Sequence, residues 1–253
     1  IDTAKSTIFR QSWVIEHAEL YLILAMITPL SWLERCPTYK EQHQEMQSKD
    51  LSMYGFLGYP LLQTADIIIY RSTAVPVGED QLPHIELARE ITRRFNNFYG
   101  EIFPEPQGIL SPSPRVPGID GRKMSKSYGN AILICDDEPT TVNKIKQMFT
   151  DPQKIRADDI GHPEGCVVFA LHEIYDPAHQ ERKQLCQEGK LGCVKCKSSL
   201  AELLNIALKP LRDKRYQIAQ DPARIDEIIN TGTQKAKQTA AETMVLVRKA
   251  LNL

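Results

Sequence analysis

The chain has 253 residues, 42% of them hydrophobic, and a formal net charge of −1. That suffices for one large core or two smaller ones and carries no global basic signature, so any RNA contact must rest on local patches. The longest apolar run, Leu20 to Ile27, is too short to cross a bilayer, no secretory signal opens the sequence, and six cysteines in a chain this long do not suggest a disulfide scaffold. A reducing, cytoplasmic setting without a membrane partner is the expectation. The first residue is Ile rather than Met, so the chain is expected to lack its natural beginning.

Ser6 to Ser12 reads as a short buried strand, and Glu16 to Ile27 as an apolar helix ended by Thr28-Pro29. The polar stretch Lys40 to Asp50 reads as a surface loop or an exposed helix end. Tyr59 to Tyr70 reads as a helix with Pro60 in its first turn, and Val75 to Val77 as a short strand. Asp80 is placed as the N-cap of a helix with Pro83 in its first turn, running to about Phe98. Residues 103–122, rich in Pro and Gly, are expected to form a long loop, and Ala131 to Cys135 a last strand-like run.

After about residue 137 strand signals fade. Leu200, Leu203, Leu204, Ala207, Leu208 and Leu211 follow helical spacing, with Pro210 expected to kink or split that helix. Ile225 to Ile229 and Lys235 to Leu251 complete a helical tail separated by Gly232. The fold class is therefore α/β: a Rossmann-like parallel-sheet nucleotide-binding domain over 1–137, then a helical domain over 138–253 whose last helix can pack back on the first.

Tyr59, Gln63, Asp66 and Tyr70 share one helix face among apolar neighbours. A solvent-facing stripe would explain that spacing; a pocket wall would too, with Asp66 accepting from a ligand N–H while Tyr59 and Gln63 fix a polar head group. Gly78-Glu-Asp-Gln81 follows a strand and opens a helix, where open α/β sheets bind ligands. Asp80 could accept from a ribose hydroxyl there, or simply cap its helix.

Residues 123–127 read Lys-Met-Ser-Lys-Ser, with glycines on both sides. Composition alone allows a solvated charged turn, or a mobile cationic loop that closes over a polyanion. Further on, Cys166, Cys186, Cys193 and Cys196 have the spacing C-x19-C-x6-C-x2-C, the last pair after Gly192. Four thiolates can hold a [4Fe–4S] cluster or a tetrahedral zinc; unrelated reduced thiols are the third reading. Cys36 and Cys135 look like ordinary buried thiols.

The pentapeptide resembles the signature loop of class I aminoacyl-tRNA synthetases. Together with Ser6 to Ser12, Thr38-Tyr-Lys-Glu41, Tyr59 to Asp66 and Val75 to Gln81, it makes nearly the whole chain resemble the bacterial tryptophanyl-tRNA synthetase family. The resemblance implies an ATP- and Mg²⁺-dependent ligase that activates L-tryptophan and transfers it to tRNA(Trp), homodimeric and cytoplasmic. It implies that Lys123 and Lys126 stabilise the departing pyrophosphate, that Ser125 and Ser127 add hydroxyl donors, and that Met124 packs near the base. Gly78, Glu79 and Asp80 would contact ATP around its ribose and Val116 its adenine. Asp66 would bind the indole N–H, with Tyr59, Gln63 and Gln81 at the amino-acid end, and Lys40 would reach in from its loop. Some members bind a [4Fe–4S] cluster through a similar cysteine pattern near the anticodon-binding region, which favours the cluster over Zn²⁺. The class also needs His-x-Gly-His near its N-terminus, and none of the six histidines lies in that pattern. The first strand and helix of the nucleotide-binding fold are expected to be missing, and these 253 residues alone to be inactive. Tyrosyl-tRNA synthetases share the loop and a similar Tyr…Gln…Asp helix, so tyrosine activation is one alternative. A non-catalytic paralogue that binds RNA is another.

Overall fold

The computed structural model describes residues 1–36, 53–111 and 116–253. The Lys40–Asp50 stretch, Lys40 itself and Arg115 lie outside the described residues. The chain forms two compact units: Ile1–Pro114 with Ala223–Leu253, and Arg115–Pro222. These cuts differ from the change of texture near residue 137.

The first unit is built on helices α1 (Glu16–Ile27), α2 (Leu30–Glu34) and α3 (Tyr54–Ile68). α1 has the bounds expected. Pro29 disfavours helical backbone at Thr28, which sits at φ −90° and ψ 118°. α1 buries the stripe His17, Leu20, Leu24 and Ile27 and packs against α3. α3 begins more than a turn earlier than expected, so Pro60 lies inside it and not in its first turn. Gly58, inside α3, has a packing reason. A Cβ there would stand 2.4 Å from the Tyr21 hydroxyl.

Strand β1 (Ala74–Val77) pairs in parallel with β2 (Gln107–Leu110), in register Ala74↔Gln107 to Val77↔Leu110, and α4 (Leu82–Tyr99) makes the crossover. This strand–helix–strand unit is the α/β element that the sequence calls for. β2 lies within the stretch expected to be loop. Its four residues show no alternation, and all are exposed, so only the pairing partner identifies it. α4 carries Pro83 in its first turn as expected. Asp80 is not its N-cap: Gln81 holds that position without a side-chain cap, and Glu79–Gln81 form a 3-10 turn before it. Ser6 to Ser12 is not a strand either. It runs irregularly into a 3-10 turn at Gln11–Trp13.

α1, α3 and α4 share their core with Ala236, Ala240, Met244 and Val247 of the C-terminal helix. That helix is continuous through Gly232, contrary to the expected break. The glycine serves packing instead: a Cβ there would fall 1.9 Å from the Ile8 carbonyl oxygen. The Arg10 N–H donates to Thr233 Oγ1 at 3.4 Å, and Arg248 grips both Glu19 oxygens at 2.8 and 2.5 Å.

The second unit contains α5 (Glu138–Gln147), α6 (Val167–Tyr175), α7 (His179–Gln187) and α8 (Cys193–Ala219); the C-terminal helix just described is α9 (Pro222–Ala250). Asp137 caps α5 by accepting from the Thr140 N–H at 2.8 Å. Pro210 lies inside α8 without splitting it; the carbonyl it leaves without its helical donor belongs to Ile206, on an exposed turn. Ala131 to Cys135 is a turn rather than a strand. The Leu133 N–H donates to Asp136 Oδ2 at 2.8 Å, Lys144 holds the same oxygen at 2.6 Å, and Ile134 faces solvent. Among the described residues no helix is long and apolar enough to cross a membrane.

Candidate functional site

The expected polar face of α3 forms two hydrogen-bonded groups in the first unit. Asp66, 35% exposed at its side chain, is held from one side: Gln11 Nε2 donates to both carboxylate oxygens at 2.7 and 2.8 Å, and His17 Nδ1 stands 2.6 Å from Oδ1. Its acceptor capacity is not exhausted by these contacts. The second group links Gln63 Nε2 to Gln81 Oε1 at 3.3 Å and Gln81 Nε2 to Asp80 Oδ2 at 2.7 Å. So Gln63, Gln81 and Asp80 come together, and the Glu79–Gln81 turn sits at the carboxyl end of β1. Gly78 has φ −75°, a backbone open to any residue.

Tyr59 takes a different partner. Its hydroxyl lies 3.3 Å from His84 Nε2, and Cys36 Sγ lies 3.6 Å from His84 Nδ1. Burial pushes the phenol up to about 12 and pushes His84 below the usual histidine range, so both are neutral at pH 7. Tyr70 lies just past the end of α3, its hydroxyl 2.7 Å from His17 Nε2. His17 is the residue that sequence reasoning missed. Its one sequence signal is a lone histidine on the buried stripe of an apolar helix, which usually means only a satisfied core residue.

In the second unit the lysine loop is tied at its base. Met124 N–H donates to Val116 O at 3.1 Å, Gly118 N–H to Arg122 O at 2.7 Å and Ile119 N–H to Asn130 O at 2.9 Å. Asn130, 2% exposed, is the inner pin: Nδ2 donates to Asp120 Oδ1 at 2.8 Å and Lys123 O at 3.0 Å, and Oδ1 accepts from the Ser125 N–H at 2.8 Å. A Cβ on Gly118 would lie 2.3 Å from Asn130 Nδ2, so only glycine fits there. Gly121 turns the chain at φ 86°. From this base Lys123 and Lys126 reach solvent, while Met124 and Ser125 are half-buried. The Ser127 side chain lies outside the described residues. Val116 is half-buried against the core of the unit, beside Ile119.

Cys166, Cys186, Cys193 and Cys196 line one cavity with Lys154, His162 and Arg182. Each stands at a helix end: Cys166 caps α6, Cys186 closes α7, and Cys193 and Cys196 open α8. A Cβ on Gly161 would come 2.4 Å from Cys186 Sγ, so the glycine lets the sulfur in. Burial raises the Cys186 thiol, with Lys154 opposing, and pushes Cys196 up to about 12, with Arg182 opposing. Donor type and number fit a thiolate-held centre, and Lys154 and Arg182 bring positive charge to the cavity, Lys154 bonded to the Asp159 carbonyl and Arg182 paired with Asp176 at 2.6 Å. Among the described residues no three His, Cys, Asp or Glu already stand in ligating geometry. Cys135 is exposed, contrary to the buried thiol expected, whereas Cys36 is buried.

The lysine loop and the four cysteines share one compact unit. Val116, Ile119, Cys166 and Cys196 pack on the same core of Ile145, Val167, Leu171, Leu200 and Leu204. Asp66 and its neighbours belong to the other unit.

The family described as tRNA synthetases class I (W and Y) matches residues 1–209. A tryptophan--tRNA ligase of Thermotoga maritima is 50% identical over 256 residues, covering all of this chain and 78% of its own length. One from Aquifex aeolicus is 40% identical, covering all of this chain and 82% of its own length. A crystal structure of tryptophanyl-tRNA synthetase from Campylobacter jejuni, complexed with ADP and tryptophan, is similar with a TM-score of 0.81 and 35% identity, over all of this chain and 79% of that one.

Proposed function

The chain belongs to the class I tRNA synthetases of tryptophan and tyrosine, and we infer that it is a tryptophan--tRNA ligase, activating L-tryptophan with ATP and transferring it to tRNA(Trp). The observation that carries this reading is 50% identity along the whole chain to a tryptophan--tRNA ligase. The relatives weigh against tyrosine activation and against a non-catalytic paralogue. The half-open Asp66 carboxylate supports it, being an acceptor matched to an indole N–H, a donor only. In the reaction the tryptophan carboxylate attacks the α-phosphorus of ATP, the bond to the β-phosphate oxygen breaks, and pyrophosphate leaves. Lys123 and Lys126 place ammonium charge on the departing oxygens, with Ser125 and Ser127 as added donors and Met124 near the base. Gly78, Glu79 and Asp80 are assigned to the ribose and Val116 to the adenine. Tyr59, Gln63 and Gln81 are assigned to the amino-acid end, Tyr59 reaching it by leaving His84. Mg²⁺ supplies further charge neutralisation on the phosphates. A ribose hydroxyl of the tRNA end then attacks the activated carbonyl and AMP leaves.

As functional parts we propose residues 1–137 for catalysis and 138–253 for tRNA and anticodon binding, in a cytoplasmic homodimer. The exposed apolar residues Leu22, Met26, Met53 and Tyr54 support a second copy as a partner. In pyrophosphate exchange by the full-length enzyme, tryptophan should outrun tyrosine by on the order of 10⁴ in kcat/KM. Activation of tyrosine with indifference to tryptophan would overturn the assignment.

We also propose that Cys166, Cys186, Cys193 and Cys196 hold one [4Fe–4S] cluster, with structural Zn²⁺ as the alternative. These cysteines stand at the ends of α6, α7 and α8, so a centre held by them would link three helix ends. Prepared without oxygen, the protein should be brown, with about four irons and matching acid-labile sulfide per chain. Stoichiometric zinc without colour would replace the cluster; a metal-free protein with four freely titrating thiols would remove the site.

A further inference from the structure

We propose that Tyr70 is a positioning residue for tryptophan: its hydroxyl fixes the tautomer of His17, and His17 in turn holds the Asp66 carboxylate where it accepts the indole N–H. The inference rests on the tryptophan reading of Asp66. His17 is 4% exposed, and both ring nitrogens are engaged, Nδ1 at 2.6 Å from Asp66 Oδ1 and Nε2 at 2.7 Å from the Tyr70 hydroxyl. A carboxylate only accepts, so Nδ1 carries a proton. With Nδ1 protonated, Nε2 is placed to accept from the Tyr70 hydroxyl at 2.7 Å, which holds the imidazole with Nδ1–H toward Asp66. Burial first, then the charges of Asp66 and Glu16, raises the Tyr70 phenol, so it stays a donor at any working pH. The rings are held in place. Phe9 stacks on His17 at 6.2 Å and meets Tyr70 edge-on at 5.4 Å.

Without the hydroxyl the imidazole is free to carry its proton on Nε2. Nδ1 would then face Asp66 as a second acceptor, and the carboxylate would lose a donor and turn. Of its partners among the described residues, Gln11 would be left to orient it, through one amide nitrogen. The effect is thus specific to a ligand that uses the carboxylate.

The test pairs Tyr70→Phe with an analogue of the substrate. Equilibrium binding to the full-length protein is measured for L-tryptophan and for benzothienylalanine, in which sulfur replaces the indole N–H. Tyr70→Phe should weaken tryptophan binding about tenfold, as expected for a hydrogen bond to a charged group, and leave benzothienylalanine within about twofold. Imidazole ¹⁵N shifts should place the His17 proton on Nδ1 in the parent protein and on a mixture in the variant. Equal losses for both ligands would make Tyr70 a merely structural residue and overturn the proposal, as would unchanged tryptophan binding or an unchanged tautomer. A parent protein that does not bind tryptophan would instead overturn the tryptophan reading itself, and this inference with it.

Discussion

Alanine at Lys126 in the full-length enzyme lowers kcat for tryptophan activation by about a hundredfold or more, while tryptophan affinity changes by less than about twofold. Lys123→Ala behaves alike. Both side chains are exposed, and the base of the loop that carries them is pinned by Asn130. In the proposed reaction they supply charge to oxygens that become more negative only as the α–β bond opens, and an interaction made only then would appear in kcat rather than in tryptophan binding. Single-turnover adenylate formation, set beside tryptophan binding without ATP, separates the two. Equal losses in both would make the loop a ground-state binding element.

Asp66→Ala has its largest effect on selectivity. It should cut kcat/KM for tryptophan-dependent exchange about tenfold or more, since on the proposed assignment it removes the acceptor of the indole N–H. Gln11 and His17 lose their common partner too, so the wall loosens beyond one missing bond. The ratio of tryptophan to benzothienylalanine turnover should collapse towards unity. A variant that keeps this ratio would show that another group reads the indole nitrogen.

The sequence revealed features whose causes are local. α1 is legible because its residues favour helix and Pro29 stops it; α4 is legible from Pro83 and its strong amphipathic pattern; the lysine loop is a contiguous pentapeptide. The misread features depend on partners far away in the chain. Gln107–Leu110 is a strand only because Ala74–Val77 lies beside it, and Gly232 continues a helix because its missing side chain makes room for Ile8. Ala131 to Cys135 has strand composition, yet Asp136 and Lys144 fold it into a turn. In the candidate site, helix spacing put Tyr59, Gln63 and Asp66 on one face of α3 but left a solvent-facing stripe and a pocket wall both open. The support of Asp66 by His17 and Tyr70 was not legible, because that contact spans 49 positions.

The closure of α9 on the N-terminal segment sets an order of assembly. The Arg10–Thr233 hydrogen bond spans 223 positions and the Arg248–Glu19 pair 229, whereas the cysteine-bearing unit is one uninterrupted stretch. On the ribosome that middle stretch emerges whole and can collapse early. The core of the other unit is completed only when Ala236, Ala240, Met244 and Val247 of α9 have been synthesised. Closing a loop of more than two hundred residues carries an entropic cost that the contiguous middle stretch does not meet.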